Sequence, residues 1–439
     1  FFGEYMKYFI YDIETRARVS VVKRGLHVHA HDPATDLMVV CAMPVHMDGT
    51  MGDVLTWHTG LEWDDMEPFL EHIEAGGYVV AHNEAYDRTV WNAQRDKYGL
   101  PEIQLTQSID SAAWLRAFNL PSKLADVTKM LLPAAEAKLV GVSKGVAFMW
   151  DKSNPIGTAE NMNDQVRYCA QDVTSTGHAL ELVPNPPMSF IEEYHAAQRI
   201  NERGVIFDRA LAEAAVALTP QVEVGLLADL RRICGPDIKL RGPSFLHWLK
   251  ENLPDDLVAC LTINEKYRDG LGFKTKQRES AGKPARAALF AAMEDRTDCG
   301  DIREALHAFE EANSTASGKF KAMLKVSDED CVRHQFMFNG ASQTGRFAAQ
   351  GIQLHNTRRD VPKDAVHMIE RIKTCPPAVL EAEFGSINTA LARLVRPALM
   401  AEDGLSLVWS DWSALAAWCL PVFCPAVLAP LPCCFCLAL

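Results

Sequence analysis

The chain has 439 residues, too many for one ordinary hydrophobic core, so two or three domains are expected. Its 48% hydrophobic and 23% charged residues are those of a soluble globular protein. A formal net charge of −13 excludes a uniformly basic nucleic-acid coat, although local basic patches can still hold DNA. The first residues, Phe1-Phe2-Gly3-Glu4, show no basic lead and no apolar run of a signal peptide. Upstream of Trp418 the cysteines are scattered without Cys-x-x-Cys spacing, which suits reduced thiols and a cytoplasmic location.

Tyr8 to Ile13, rich in aromatic and β-branched residues, predicts a buried strand. Side chains alternate along a strand, so Asp12 and Glu14 share one face, where two carboxylates repel unless a hard cation lies between them. Val19 to Val28 and Asp36 to Ala42 read as further strands of a small meander. His27, His29 and His31 alternate, and His-x-His on a strand can hold zinc, although a plain polar face is the duller reading. Trp63 to Ala75 reads as an amphipathic helix before a strand at Tyr78 to Ala81. The stretch Val79-Val80-Ala81-His82-Asn83-Glu84-Ala85-Tyr86-Asp87 then places Asp87 where a helix begins. Asp110 to Phe118, Leu124 to Leu132 and Asn163 to Leu182 read as helices. In the last of these Tyr168 and Asp172 stand four apart, on one helix face. Strands alternating with helices predict a parallel or mixed sheet with helices against it.

Asp-x-Glu, Asn-x-x-x-Asp and Tyr-x-x-x-Asp, in this order, resemble the tyrosine-bearing branch of the DEDD superfamily of 3′→5′ exonucleases. The resemblance implies a ribonuclease-H-like fold with Asp12, Glu14, Asp87, Tyr168 and Asp172 as catalytic residues. Asp12, Glu14, Asp87 and Asp172 would hold two Mg²⁺ or Mn²⁺ ions. Asn83 and Glu84 would position the terminal nucleotide, with Phe118 a stacking surface.

Pro184-Asn185-Pro186-Pro187 breaks the helix and marks the first boundary. Phe190 to Glu202 and Arg209 to Cys234 have helical periodicity, and helices dominate to about Lys325. The run Lys266 to Arg286 carries seven cations against two acidic residues and reads as a basic, glycine-containing loop able to grip phosphates. Gln343-Thr344-Gly345-Arg346-Phe347 to Gln353-Leu354-His355-Asn356-Thr357-Arg358-Arg359 contains three arginines and no acidic residue, a composition suited to phosphate and groove contacts. Leu407 to Ser413 reads as an apolar strand ending in Asp411, an aromatic residue and a serine.

In this order these segments resemble family A DNA polymerases, the bacterial and phage DNA polymerase I group. By that resemblance Thr344, Arg346, Gln353, Asn356 and Arg359 lie near primer–template DNA, and Asp411 is a metal-binding aspartate of the palm. The expected plan is an α/β ribonuclease-H-like exonuclease domain (1–187), a mainly helical thumb-like region (188–335) and an incomplete palm (336–418). Residues 419–439 follow, with no charge, four prolines and five cysteines. Their composition has no counterpart upstream, and a frameshifted or truncated reading of a longer gene is the expected cause. The prolines argue against a membrane helix. No polymerase activity is expected, because Asp411 alone supplies neither a two-metal site nor a triphosphate cradle. The expected partners are a single-stranded 3′ DNA end and primer–template DNA, for a monomer in the cytoplasm of a bacterium or a phage-infected host. The alternatives are an RNA-trimming exonuclease resembling RNase D and a non-catalytic fragment that only binds DNA.

Overall fold

The computed structural model describes residues 8–134, 136, 159–240, 242–269, 272–313, 316–341 and 344–408. The chain divides into two compact units, Phe1–Leu399 and Met400–Leu439. In the second, the described stretch 400–408 has little regular secondary structure, and Asp411 and the 419–439 tail lie outside the described residues.

The first unit begins with a five-stranded sheet of β1 (Tyr8–Arg16), β2 (Asp36–Val45), β3 (Leu55–His58), β4 (Tyr78–Ala81) and β5 (Ser108–Asp110). Their order across the sheet is β3-β2-β1-β4-β5. β1 runs antiparallel to β2, with Asp12 opposite Cys41, and parallel to β4, with Ile10 opposite Val80. Alternation along β1 sends Phe9, Tyr11 and Ile13 into a core with Phe69 and Trp91, from α3 (Glu67–Glu74) and α4 (Glu84–Tyr98). Ile10 points to the opposite face, among Cys169 and Val173 of the long helix α7 (Ala159–Glu181). Asp12 and Glu14 share the phase of Ile10 and so lie on the face that α7 covers. α5 (Ser111–Ala117) and α6 (Leu124–Leu131) pack on this face too, through Trp114, Leu115 and Val127. α7 lies close to the sheet at Gly177, where an added Cβ would stand 2.5 Å from Met51 Sδ and 2.7 Å from Met43 Cε.

Residues 19–28 are not a strand. They form two short helices, α1 (Val21–Arg24) and α2 (Leu26–Ala30), separated by Gly25 at φ 81°. Val19, Val21 and Val22 favour extended backbone, but β2 and β4 already occupy both edges of β1. Local bonds close the first helix instead, the Lys23 and Arg24 N–H groups both donating to the Ser20 carbonyl at 3.0 and 2.9 Å.

After the proline break come α8 (Met188–Arg203), the short β6 (Val205–Phe207) and α9 (Arg209–Cys234). Among the described residues, α9 alone is long and apolar enough to cross a membrane. Here its Leu211, Ala215, Leu218, Val222, Leu226 and Leu230 pack in a protein core, against Phe245, Leu306 and Leu391 among others. Where a basic loop was expected, β7 (Thr262–Asp269) pairs antiparallel with β8 (Gly272–Glu279). A further pair, β9 (Cys331–Val332) against β6 and β10 (Phe336–Ala341) against β11 (Arg346–Ala349), leads into the segment rich in arginine and amides.

Candidate functional site

Asp87 sits in the first turn of α4 and is 2% exposed. β4 pairs with β1 only as far as Ile10, and beyond that point the Ile13 N–H donates to Asp87 Oδ1 at 3.2 Å. Burial pushes the Asp87 carboxyl well above its ordinary range, and the negative charges of Asp12 and Glu84 push it further. One acidic group from α4 and one from β1 thus share a poorly solvated space. The α4 N-terminus is held by Asp110, whose Oδ1 accepts from the N–H groups of Asn83 (2.9 Å), Glu84 (3.4 Å) and Ala112 (3.0 Å). Asp110 also caps α5, so one carboxylate fixes the starts of two helices. The sequence reading did not single it out.

Tyr168 and Asp172 lie on α7, 9% and 6% exposed. Between them Cys169 donates from Sγ to the Asp12 carbonyl oxygen at 3.3 Å, which seats this turn of α7 directly over the β1 carboxylates. The Cys169 thiol is pushed up by burial, then by Cys41, Asp12 and Glu14. All five residues expected to be catalytic therefore come from β1, the start of α4 and one turn of α7. Among the described residues, however, no three His, Cys, Asp or Glu side chains come close enough together to hold a metal ion.

Tyr86, beside Asp87, belongs to the same neighbourhood. Its hydroxyl is 2.6 Å from Thr15 Oγ1 and 3.3 Å from His29 Nε2, while His29 Nδ1 lies 2.6 Å from the Val19 carbonyl. The Tyr86 phenol is pushed up by burial, with the Thr15 bond opposing and Asp87, Glu14 and Asp12 adding to the rise. His29 is thus a buried support for Tyr86, whereas His27 and His31 stack on each other one helical turn apart, with ring centroids 4.2 Å apart. On a helix His29 points away from His27 and His31, so the alternating His-x-His face of a strand is not formed.

Glu84 does not face a nucleotide. It is fully buried, ion-paired to Arg88 and accepts a 2.5 Å hydrogen bond from the Tyr194 hydroxyl of α8. Arg88 is also paired to Glu202. Burial alone would lower the Arg88 pKa, but Glu84 and Glu202 raise it, so the guanidinium stays charged. Asn83, by contrast, is exposed, with left-handed backbone at φ 76°. It opens on a cavity of about 310 Å³ whose wall includes Tyr86, Arg116, Tyr194, Arg333 and Phe338. Arg116 is 6% exposed and donates to the Phe338 carbonyl at 3.0 Å, and its Nε is buried with no hydrogen-bond partner among the described residues. Phe118 follows α5 and is 39% exposed.

Thr344, Arg346, Gln353, Asn356 and Arg359 are all exposed on the segment after β10. Asn356 Nδ2 donates to Gln353 Oε1 at 3.2 Å. Arg358 is paired through both Nε and Nη2 to Asp360 at 2.9 Å. Asn356, Thr357 and Arg358 line a second cavity, of about 640 Å³, together with Lys283, Arg286 and Lys319. On β8, Lys274, Lys276 and Arg278 are exposed, and Glu265 partly neutralises the last two at 3.6 and 3.0 Å.

No family model matches the chain. In an alignment 435 positions long that covers 94% of this chain, it is 24% identical to the DNA polymerase of Bacillus phage SP02, and it spans 60% of that protein. In structure it is similar to the POL domain of Pol1 from M. smegmatis, solved in complex with DNA primer-template and dNTP. The TM-score is 0.47 at 14% identity, covering 82% of this chain and 53% of that one.

Proposed function

We propose that the chain is the 3′→5′ exonuclease-bearing part of a DNA-polymerase-like protein, releasing deoxynucleoside monophosphates from single-stranded 3′ ends. The observation that carries the reading is Asp87: a buried carboxylate held at the Ile13 N–H beside Asp12, with the Tyr168–Asp172 turn of α7 docked on the same strand. Similarity to a phage DNA polymerase over nearly the whole chain supports DNA as the polymer. The strand order and directions of the sheet support a ribonuclease-H-like frame.

The donor set fits hard divalent cations, being all carboxylate oxygens, and a cation would favour the ionised Asp87 that burial, and then the Asp12 and Glu84 charges, disfavour. Asp12, Glu14, Asp87 and Asp172 would hold two Mg²⁺ or Mn²⁺ ions, which supply Lewis acidity at the scissile phosphate and lower the pKa of water. The chain's own groups do the rest. Ile13 N–H orients the Asp87 carboxylate, and Cys169 ties the α7 turn to β1. The Tyr168 hydroxyl orients the attacking water, since a phenol with an ordinary pKa of about 10 is a poor base at neutral pH. The cavity beside Asn83 and Tyr86 receives the frayed strand, and Arg116, paired to Asp110 at 3.5 Å and bonded to the Phe338 carbonyl, braces its wall. Thr344, Arg346, Gln353, Asn356 and Arg359 form an exposed polar and basic surface that would carry the duplex behind that strand. Asp411, outside the described residues, is the proposed metal ligand of a palm.

The test uses 5′-end-labelled single-stranded DNA and RNA with Mg²⁺. A descending ladder on DNA that EDTA stops is the expected result. A ladder on RNA only would favour an RNA-trimming enzyme, and no shortening of either would refute the reading.

A further inference from the structure

Arg88 directly follows Asp87 and anchors a group of four side chains that the proposed chemistry does not use. Arg88 pairs with Glu84 one turn before it and with Glu202 near the end of α8. Tyr194, also on α8 and 3% exposed, closes the group by donating to Glu84 Oε2 at 2.5 Å. Burial and the Glu84 charge, with Asp110 adding, push the Tyr194 phenol up, so it keeps the proton it donates. A buried ion pair adds little net stability, because desolvation offsets its attraction, but it fixes relative geometry tightly. What it fixes here is the first turn of α4, which carries Asp87.

The other side of the group reaches β10. The Tyr194 ring meets Phe338 edge-on at 5.9 Å, and Phe338 meets Phe347 of β11 at 5.7 Å. Asn201, next to Glu202, brackets Phe336 by accepting from its N–H at 3.0 Å and donating to its carbonyl at 2.8 Å. Arg346 is the first residue of β11, opposite Ala341 of β10, and Thr344 lies between the two strands.

We propose that Tyr194, Glu84, Arg88 and Glu202 are positioning residues that hold the Asp87 carboxylate in register with the β10–β11 pair. A shift of that pair, as when DNA seats on Arg346, is then passed to α4 through packed side chains. The consequence for hydrolysis rests on the exonuclease reading, whereas the mechanical link does not.

The test compares the full chain with Tyr194→Phe and Phe338→Leu, reading hydrogen exchange at the Ile13 amide and Mg²⁺-dependent DNA hydrolysis. Tyr194→Phe removes one hydrogen bond and keeps the ring, so exchange at Ile13 should rise about tenfold and kcat should fall by a similar factor, with KM within about twofold. Phe338→Leu, which does not touch α4's charges, should move both in the same direction by a smaller factor. Unchanged exchange in Tyr194→Phe overturns the positioning role. Altered exchange in Tyr194→Phe with none in Phe338→Leu overturns the link to β10. If the parent chain leaves DNA intact, the exonuclease reading falls, and the exchange comparison still decides the network.

Discussion

The Ile13 amide and the Asp87 carboxylate, 74 residues apart in sequence, meet at 3.2 Å where β4 stops pairing with β1. A strand that loses its neighbour must satisfy its next amide elsewhere, and here it does so with a carboxylate brought in by a helix start. Asn at position 87 would still accept from Ile13 but would carry no charge. Asp87→Asn should therefore cut hydrolysis by about a hundredfold or more through lost cation binding. It should also stabilise the cation-free chain at neutral pH by on the order of 1 kcal/mol. Denaturant unfolding with EDTA present, together with the labelled-DNA assay, reads both effects.

The elevated Asp87 pKa also sets a pH dependence. The folded chain holds this proton more tightly than the unfolded chain, whose Asp titrates near 3.8. The stability from this group is thus fully present below that value and is lost as pH rises through the higher folded value. A divalent cation prefers the ionised form, so Mg²⁺ should raise Tm more at higher pH and release protons on binding. Tm against pH, with EDTA and with Mg²⁺, checks this; a cation effect independent of pH would contradict it.

Tyr168→Phe keeps the ring on α7 and removes the hydroxyl. If that hydroxyl orients the attacking water, kcat should fall about ten- to a hundredfold while cation affinity stays within about twofold. Single-turnover hydrolysis and a Mn²⁺ titration separate the two effects.

Arg346 and Arg359 are exposed on the segment proposed to carry duplex DNA. Either one changed to Ala should weaken primer–template binding uniformly across sequences and reduce the slope of log K against log salt by about 1. Arg358→Ala should matter less, because Asp360 already neutralises that guanidinium. Fluorescence anisotropy at several salt concentrations measures all three.

Residues whose role follows from local periodicity were legible in the sequence. β1 was readable from its aromatic and β-branched residues, and the side-chain alternation of any strand put Asp12 and Glu14 on one face. α7 was readable too, with Tyr168 and Asp172 one turn apart. Roles set by distant partners were not legible. Glu84-x-x-x-Arg88 is visible as a helical ion pair, but burial beneath Tyr194 and Glu202 comes from α8, more than a hundred residues later. Residues 19–28 carry strand-favouring valines, yet bonds back to the Ser20 carbonyl and the break at Gly25 close them into two short helices. For the β7–β8 pair a signal was present, since Lys274, Lys276 and Arg278 recur every second residue, the period of a strand.

The account depends on acidic groups from β1, α4 and α7 closing around a pair of cations. Calorimetric titration of the full chain with Mn²⁺ tests that most directly, with Asp12→Asn and Asp172→Asn titrated in parallel. The account predicts two ions bound by the parent chain and at least one lost in each variant. Two ions bound equally well by all three proteins, or none bound by the parent, would contradict it.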